Sequence, residues 1–265
     1  MGLKKTIAVN LNRVFQNHTY TSRHGLAKGL KRKGGLAFLP SFVPRSTEML
    51  KEEHFIAELD FKGLTVFDIG GDQGIYTLFF ASKVGETGKV FTFEPNPMSY
   101  QHIVTNVELN RFKNVQAKNI ALGDKPGRVK LVFPAFDPGR GSADEGITQQ
   151  ITGEGTVQII ETPLNTVDNL IASEELPRPD FAKIDVEGFE RPVLVGMRET
   201  IDRWHPRLFI EIHGASPELK RQNIRGVVAL LLEHRYDIHH VESERNISAD
   251  NADLACEGHI YCTYQ

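Results

Sequence analysis

Apolar positions along this chain fall into runs of strand length that alternate with stretches of helical spacing. Leu64 to Ile69 is an apolar run that enters the turn Gly70-Gly71-Asp72-Gln73-Gly74, and Ile75 to Ala81 leaves that turn at helical spacing. A second apolar run, Val90 to Phe93, ends in the carboxylate of Glu94. Ile103, Val104, Val107 and Leu109 then mark one face of a helix. These patterns predict strand 64–69, helix 74–83, strand 89–93, helix 97–109 and strand 115–120. Residues 127–133 and 155–161 alternate like the strands of an inserted hairpin, and the polar loop within 138–154 is long enough to form a lid. A short helix at 166–171, strand 180–185, helix 188–203 and strand 207–213 follow, then helix 222–234 and strands near 236–241 and 257–263. Upstream, Ser46 or Thr47 is placed to cap a helix running to about Leu59. Strands alternating with helices specify an α/β chain. The expected fold is Rossmann-like and doubly wound around a mainly parallel sheet, with ligands bound beyond the carboxyl ends of its strands.

Charge divides the chain unevenly. The net charge is only −3, yet residues 1–47 hold nine Lys or Arg and no acid, leaving 22 basic against 34 acidic residues beyond them. We therefore expect a basic arm over 1–47, built of helical pieces and turns and covering the active site, followed by a catalytic domain over 48–265. Arg23, His24, Lys28, Lys31, Arg32 and Lys33 are the arm positions expected to meet an acidic acceptor; the bland alternative lays the arm over its own acidic domain. Cys256 and Cys262 lack metal or redox spacing and read as core thiols of a reducing, cytoplasmic compartment. No apolar run reaches membrane-spanning length.

The glycine turn decides between cofactors. Counted from Gly70, the second and third glycine positions of a dinucleotide fingerprint hold Asp72 and Ile75. A pyrophosphate would sit at the following helix N-terminus, where Asp72 places a negative charge instead. No Lys-Ser or Lys-Thr follows, which excludes a P-loop. An adenosine carrying an ammonium and a sulfonium suits this turn: S-adenosylmethionine. Glycines alone need mean only a tight turn, but Glu94, placed at the second strand's tip for a ribose diol, tips the reading towards a cofactor.

Four strand ends carry the remaining chemistry: Asp68, Glu94, Asp185-Val186-Glu187-Gly188 and Glu211-Ile212-His213. With the glycine turn, Phe93-Glu94-Pro95-Asn96, Ala121-Leu122-Gly123-Asp124, Thr166-Val167-Asp168-Asn169-Leu170 and Lys183-Ile184-Asp185-Val186-Glu187-Gly188-Phe189-Glu190, the chain resembles the FkbM-type family of class I S-adenosylmethionine-dependent methyltransferases over roughly residues 48–241. It departs from the family where Gly71-Asp72 replaces the commoner Ala-Asn. The resemblance implies a seven-stranded sheet with its last strand antiparallel and methyl transfer to oxygen. It also implies that Asp68, Gly70, Gly71, Asp72 and Gly74 hold the methionine part, and that Glu94 takes the ribose hydroxyls with Pro95 and Asn96 beside it. Asn119, Ile120 and Ala121 would border the adenine, and Asp185 would sit beside the transferring methyl.

A hydroxyl acceptor must lose its proton, so a carboxylate or imidazole near the methyl is required. Asp185 and His213 are the candidate bases. Glu211 shares a strand face with His213; it either orients the imidazole or joins Asp185 and His213 around Mg²⁺ or Mn²⁺. The acceptor is expected to be a small molecule or glycan hydroxyl. A nucleic-acid methyltransferase is the rival enzyme, motivated by the basic arm but lacking interleaved aromatic stacking residues. An inactive cofactor-binding scaffold is the rival outside catalysis.

Overall fold

A computed structural model of the chain describes residues 18–33, 49–134, 141–153, 155–173 and 175–265. Strands β1 (Thr19–Thr21) and β2 (Lys31–Lys33) pair as a small antiparallel hairpin. The expected helical pieces of the arm are thus absent from 18–33. Gly25 at φ 69° and Gly29 at φ 84° turn the chain back on itself here, so the basic residues at 31–33 lie opposite 19–21. The rest of the arm, and the predicted cap at Ser46 or Thr47, lie outside the described residues. Helix α1 spans Lys51–Glu58.

The central sheet is built from β3 (Thr65–Ile69), β4 (Lys89–Phe93), β5 (Val115–Lys118), β9 (Phe181–Ile184), β10 (Arg207–Glu211), β11 (Tyr236–His240), β12 (Arg245–Ile247) and β13 (His259–Tyr264), in the order β12-β11-β13-β10-β9-β3-β4-β5. Five neighbouring strands, β10-β9-β3-β4-β5, are parallel. The last strand, β13, is antiparallel, as expected, and slots between β10 and β11. The sheet has eight strands rather than seven: the short β12 folds back along β11 and extends that edge.

Strand pleating sorts the core into two layers. Val66, Val90, Phe181 and Phe209 point to one face, where they pack with Ile56 of α1 and with Phe79 and Phe80 of α2 (Ile75–Lys83). Phe67, Phe91, Ala182 and Leu208 point to the other face and meet α5 (Val167–Ala172), α6 (Glu190–Val195), α7 (Arg198–Trp204) and α8 (Pro217–Glu233). Both faces are covered, as the unbroken apolar runs require. The single helix expected over 188–203 is two helices. They break at Gly196, where an added Cβ would lie 2.0 Å from the carbonyl oxygen of Gly123, so the chain kinks around a close backbone approach. Helix α8 begins five residues before its expected start, with Ser216 capping Leu219 N–H and Pro217 in the first turn.

Helix α3 (Pro97–Leu109) carries the arm hairpin: Lys31 N–H and Lys33 N–H donate to Asn110 Oδ1 and Asn106 Oδ1, both at 2.8 Å. The chain leaves the sheet at Asn119 and enters a second, three-stranded sheet made of β6 (Ala121–Leu122), β8 (Val157–Asn165) and β7 (Gly127–Pro134). The expected hairpin is therefore present, with a longer return strand. Between its strands lies helix α4 (Glu145–Gly153) where a polar loop was expected. Asp144 Oδ1 accepts from Ile147 N–H, and Ile147 and Ile151, one turn apart, are buried. Among the described residues no helix is long and apolar enough to cross a membrane.

Candidate active site

Because β4, β3, β9 and β10 are adjacent and parallel, their carboxyl ends open on one edge of the sheet. That edge bounds a cavity of about 310 Å³ lined by Gly70, Asp72, Glu94, Asp185, Glu211 and His213, with Val129, Leu131 and Phe133 of β7 as its opposite wall. The alternation of β7 puts these three apolar side chains on one side of the strand. The volume suits a small molecule.

One end of the cavity is made by the glycine turn and Glu94. Glu94 Oε2 accepts from Asp72 N–H and Oε1 from Asn96 N–H, each at 2.8 Å, so the carboxylate is fixed from both sides while it faces the cavity. Burial pushes its pKa up to about 7, against the pull of those two backbone donors. Pro95, Ile120 and Ala121 supply an apolar flank suited to a purine. The donor set thus fits a ribose diol and a cationic tail: two carboxylates, Asp72 and Glu94, face the space where a pyrophosphate would need N–H donors or cations. Gly70 sits at φ 85°, and an added Cβ would fall 1.8 Å from the carbonyl oxygen of Asp185. Gly70→Ala is therefore expected to cost about 2–5 kcal/mol, combining left-handed backbone strain with overpacking against a rigid backbone. A drop in the urea midpoint without a change in slope would register it.

The other end is a nest of carboxylates around one imidazole. His213 Nδ1 lies 3.1 Å from Oε1 of Glu190, while its Nε2 lies 3.4 Å from Glu211, 3.9 Å from Asp185 and 4.0 Å from Glu187. Glu190 is fully buried at the start of α6 and is held by Gly188 N–H and by Asn223 Nδ2 of α8. Burial works against a charged imidazole, but the hydrogen bonds to Glu190 and Glu211 and the charge of Asp185 outweigh it and raise His213 to about 11. Glu187, swung towards His213 by a left-handed backbone at φ 52°, is raised by burial to about 7. Lys183 sits beneath the site, its Nζ 3.0 Å from Asp185 Oδ2 and 3.7 Å from Asp68 Oδ1; burial disfavours its charge, yet these two carboxylates hold it protonated.

Residues 68–238 match the model of the methyltransferase FkbM domain family. The chain belongs to this family. Among relatives, the hexuronic acid methyltransferase AglP of Haloferax volcanii is 28% identical over 156 residues, a match spanning 58% of this chain and 58% of that protein. The chain thus spans little more than half the length of this relative. The 31-O-demethyl-FK506 methyltransferase FkbM of Streptomyces tacrolimicus is 26% identical over 199 residues, covering 66% of this chain and 74% of the relative. An O-methyltransferase from Bacillus cereus solved with SAH shares the fold over 100% of this chain and 92% of its own, at a TM-score of 0.50 and 13% identity.

This FkbM-family chain brings most of the sequence-predicted residues to one cavity. Gly70, Asp72, Glu94, Pro95, Ile120, Ala121, Asp185, Glu211 and His213 all line it. Asp68 does not: it is fully buried under the turn, where Oδ2 accepts from Thr77 Oγ1 at 2.5 Å, so it holds the turn in place from below. Gly71 and Gly74 pack against Ile103 of α3 rather than facing the cavity. Asn96 caps α3 through Met98 N–H, and Asn119 Nδ2 donates to the carbonyls of Glu94 and Pro95; both shape the loop around Glu94. Of the basic arm, Arg32 turns inward and its Nη2 reaches Gln73 Oε1 at 3.4 Å, beside the glycine turn.

Sequence reasoning missed three contributors. Glu187 and Glu190 stood in the motif after Asp185 without a role of their own, and the left-handed turn at Glu187 and Gly188 accompanies their approach to His213. The β7 wall gave a period-two signal in Val129, Leu131 and Phe133 but no indication of what it faces.

Proposed function

We propose that the chain is an S-adenosylmethionine-dependent O-methyltransferase acting on a hydroxyl of a small molecule or glycan. The observation that carries this is a cavity lined both by Glu94, which we read as the acceptor of a ribose diol, and by the carboxylate and imidazole nest at Asp185. The cofactor supplies an electrophilic methyl on a sulfonium. The chain's share is to hold, orient, exclude water and take a proton. Orientation of two bound reactants is worth about 7–11 kcal/mol.

Methyl transfer to a hydroxyl forms an O–C bond, breaks the S–C bond and releases the hydroxyl proton. His213 already carries a proton among its carboxylates, so Asp185 is the better acceptor for it, with Glu211 and Glu190 positioning the imidazole. The relative named as a 31-O-demethyl-FK506 methyltransferase supports oxygen as the acceptor atom. Among the described residues no Lys or Arg lines the cavity, whereas Asp72, Glu94, Asp185, Glu187 and Glu211 do. A neutral sugar or polyol with an apolar face against Leu131 and Phe133 fits this lining better than a phosphate or a nucleic-acid backbone. Lys31 and Lys33 engage α3 through their backbone, which weakens the reading of the arm as an acidic-acceptor clamp.

Calorimetric titration with S-adenosylmethionine, S-adenosylhomocysteine and NAD⁺, followed by an acceptor screen, tests the proposal. Micromolar binding of the first two alone, with turnover on neutral hydroxyls, is the expected result; no binding by folded protein would sink it.

The affinity should also depend on pH through Glu94. Ribose hydroxyls donate to the ionised carboxylate, which in the free protein titrates at about 7. Cofactor affinity is thus expected to be about tenfold weaker at pH 6 than at pH 8, following the ionised fraction. The unfolded chain ionises Glu94 at about 4.5, so its burial costs stability as pH rises from 4.5 to 7 and the ligand-free protein gains none from this group. Titrations across that range check the slope, which should vanish in Glu94→Gln.

A further inference from the structure

The acceptor end of the cavity holds more negative charge than its own cations balance. Asp185, Glu187, Glu190 and Glu211 stand within 4.0 Å of one imidazole, and the ammonium of Lys183 is already engaged by Asp185 and Asp68. Partly buried like charges at these separations repel strongly, so the pocket calls for a counter-charge.

We propose that Asp185, Glu211 and His213 form a binding site for one divalent cation of the Mg²⁺ or Mn²⁺ type at the acceptor end of the cavity. Three features of the geometry carry this. First, one donor atom from each residue lies within 4.8 Å of the other two, so a single ion can touch all three. Second, the three residues come from the ends of two adjacent strands and all line the cavity, which leaves the ion's remaining coordination positions open to water or to an acceptor oxygen. Third, His213 is prepared as a ligand: Nδ1 is tied to Glu190, a carboxylate outside the donor set, which is fixed in turn by Asn223 and Gly188, and Nε2 is left facing Asp185 and Glu211. A carboxylate behind the distal ring nitrogen is the usual device for aiming a metal-binding histidine.

Two carboxylates and one imidazole select a hard or borderline ion. Oxygen-rich sites with open positions suit Mg²⁺ and Mn²⁺, whereas a closed zinc site would use thiolates or more imidazoles. Glu211 Oε2 is tethered separately, 3.4 Å from His259 Nε2, so Oε1 alone is turned to the ion. A second group, Glu52, Glu242 and His259, has comparable spacing, but both Glu242 oxygens are already engaged by His240 and His259, which leaves it no free donor. With an ion on Asp185, an acceptor hydroxyl bound beside it would become a stronger acid; Asp185 would hold the ion, and the hydroxyl proton would pass to Glu187, a cavity carboxylate outside the donor set.

The inference rests on ligand geometry and is tested without cofactor or acceptor, so its failure and the failure of the methyltransferase reading are separable. Purified chain, freed of metal with EDTA and dialysed, is titrated with Mn²⁺ while free ion is followed by electron paramagnetic resonance, and Mg²⁺ is then added as competitor. Expected is one Mn²⁺ per chain, displaced by Mg²⁺, with affinity at least tenfold weaker in Asp185→Asn, Glu211→Gln and His213→Gln. Glu190→Gln should weaken binding about 10- to 100-fold while leaving all three donors in place. Circular dichroism of each variant guards against misfolding, and three independent ligand variants keep the test usable if one fails to fold. Absence of Mn²⁺ binding to folded wild type, or binding unchanged in the folded ligand variants, overturns the proposal.

Discussion

Glu94→Ala is expected to remove measurable binding of S-adenosylmethionine, while the protein stays folded. This carboxylate faces the cavity beside the glycine turn, where it can accept from both hydroxyls of a ribose, and a hydrogen bond to a charged acceptor is worth about 1.5–3 kcal/mol. Two such bonds together amount to about 3 kcal/mol or more, a factor of at least about 100 in Kd. The same substitution strips Asp72 N–H and Asn96 N–H of their acceptor, which loosens the turn and the start of α3 that the cofactor would rest against. Glu94→Gln separates the two effects. Its amide oxygen can still take one of the backbone donors, so the loop persists, but the charge is gone. A loss in Glu94→Gln nearly as large as in Glu94→Ala places the effect in diol recognition; a loss confined to Glu94→Ala places it in loop support. Calorimetry on both variants, with thermal melting of each free protein, distinguishes these results. Unchanged affinity in both would remove Glu94 from the cofactor site.

The order of elements was legible because strands covered on both faces need largely apolar runs, and this chain carries them at 64–69, 90–93 and 208–210. Site residues at strand tips were legible for the same reason, since an acid that ends such a run has nowhere to go but the edge. Asp68 shows where that reasoning stops. It also lies in an apolar run, but register pairs it with Lys183 on β9, and the two charges meet beneath the turn instead of on the cavity. Helix α4 was obscured by its polar composition, although Asp144 ahead of Ile147 and Ile151 was a usable signal. The hairpin at 18–33 and the three-residue β12 left no periodicity long enough to read. Pairings such as His213 with Glu190, or Phe133 and Glu187 lining one cavity, join segments whose meeting depends on how the sheets pack, and no local pattern encodes that.

Asp185→Asn is expected to lower kcat by about 10²–10⁴-fold and to leave cofactor affinity within about threefold of wild type. Asparagine is nearly the same size and keeps an oxygen for Lys183, so the change removes charge and basicity more than shape. If Asp185 takes the acceptor's proton, the loss falls on kcat and should be eased by raising pH, because a larger fraction of the acceptor hydroxyl then gives its proton to solvent hydroxide without an enzymic base. If its role is only to balance Lys183, the buried ammonium is left with Asp68 alone at 3.7 Å; the damage then appears as lowered stability, and kcat measured on folded protein changes little. His213→Gln supplies the contrast. A protonated imidazole among four carboxylates cannot take a second proton, so in metal-free enzyme this variant should cost less in kcat than Asp185→Asn. The reverse ranking would move the base to His213 and would require its ring to be neutral in the working enzyme, with no cation on Nε2, since Nδ1 is already tied to Glu190.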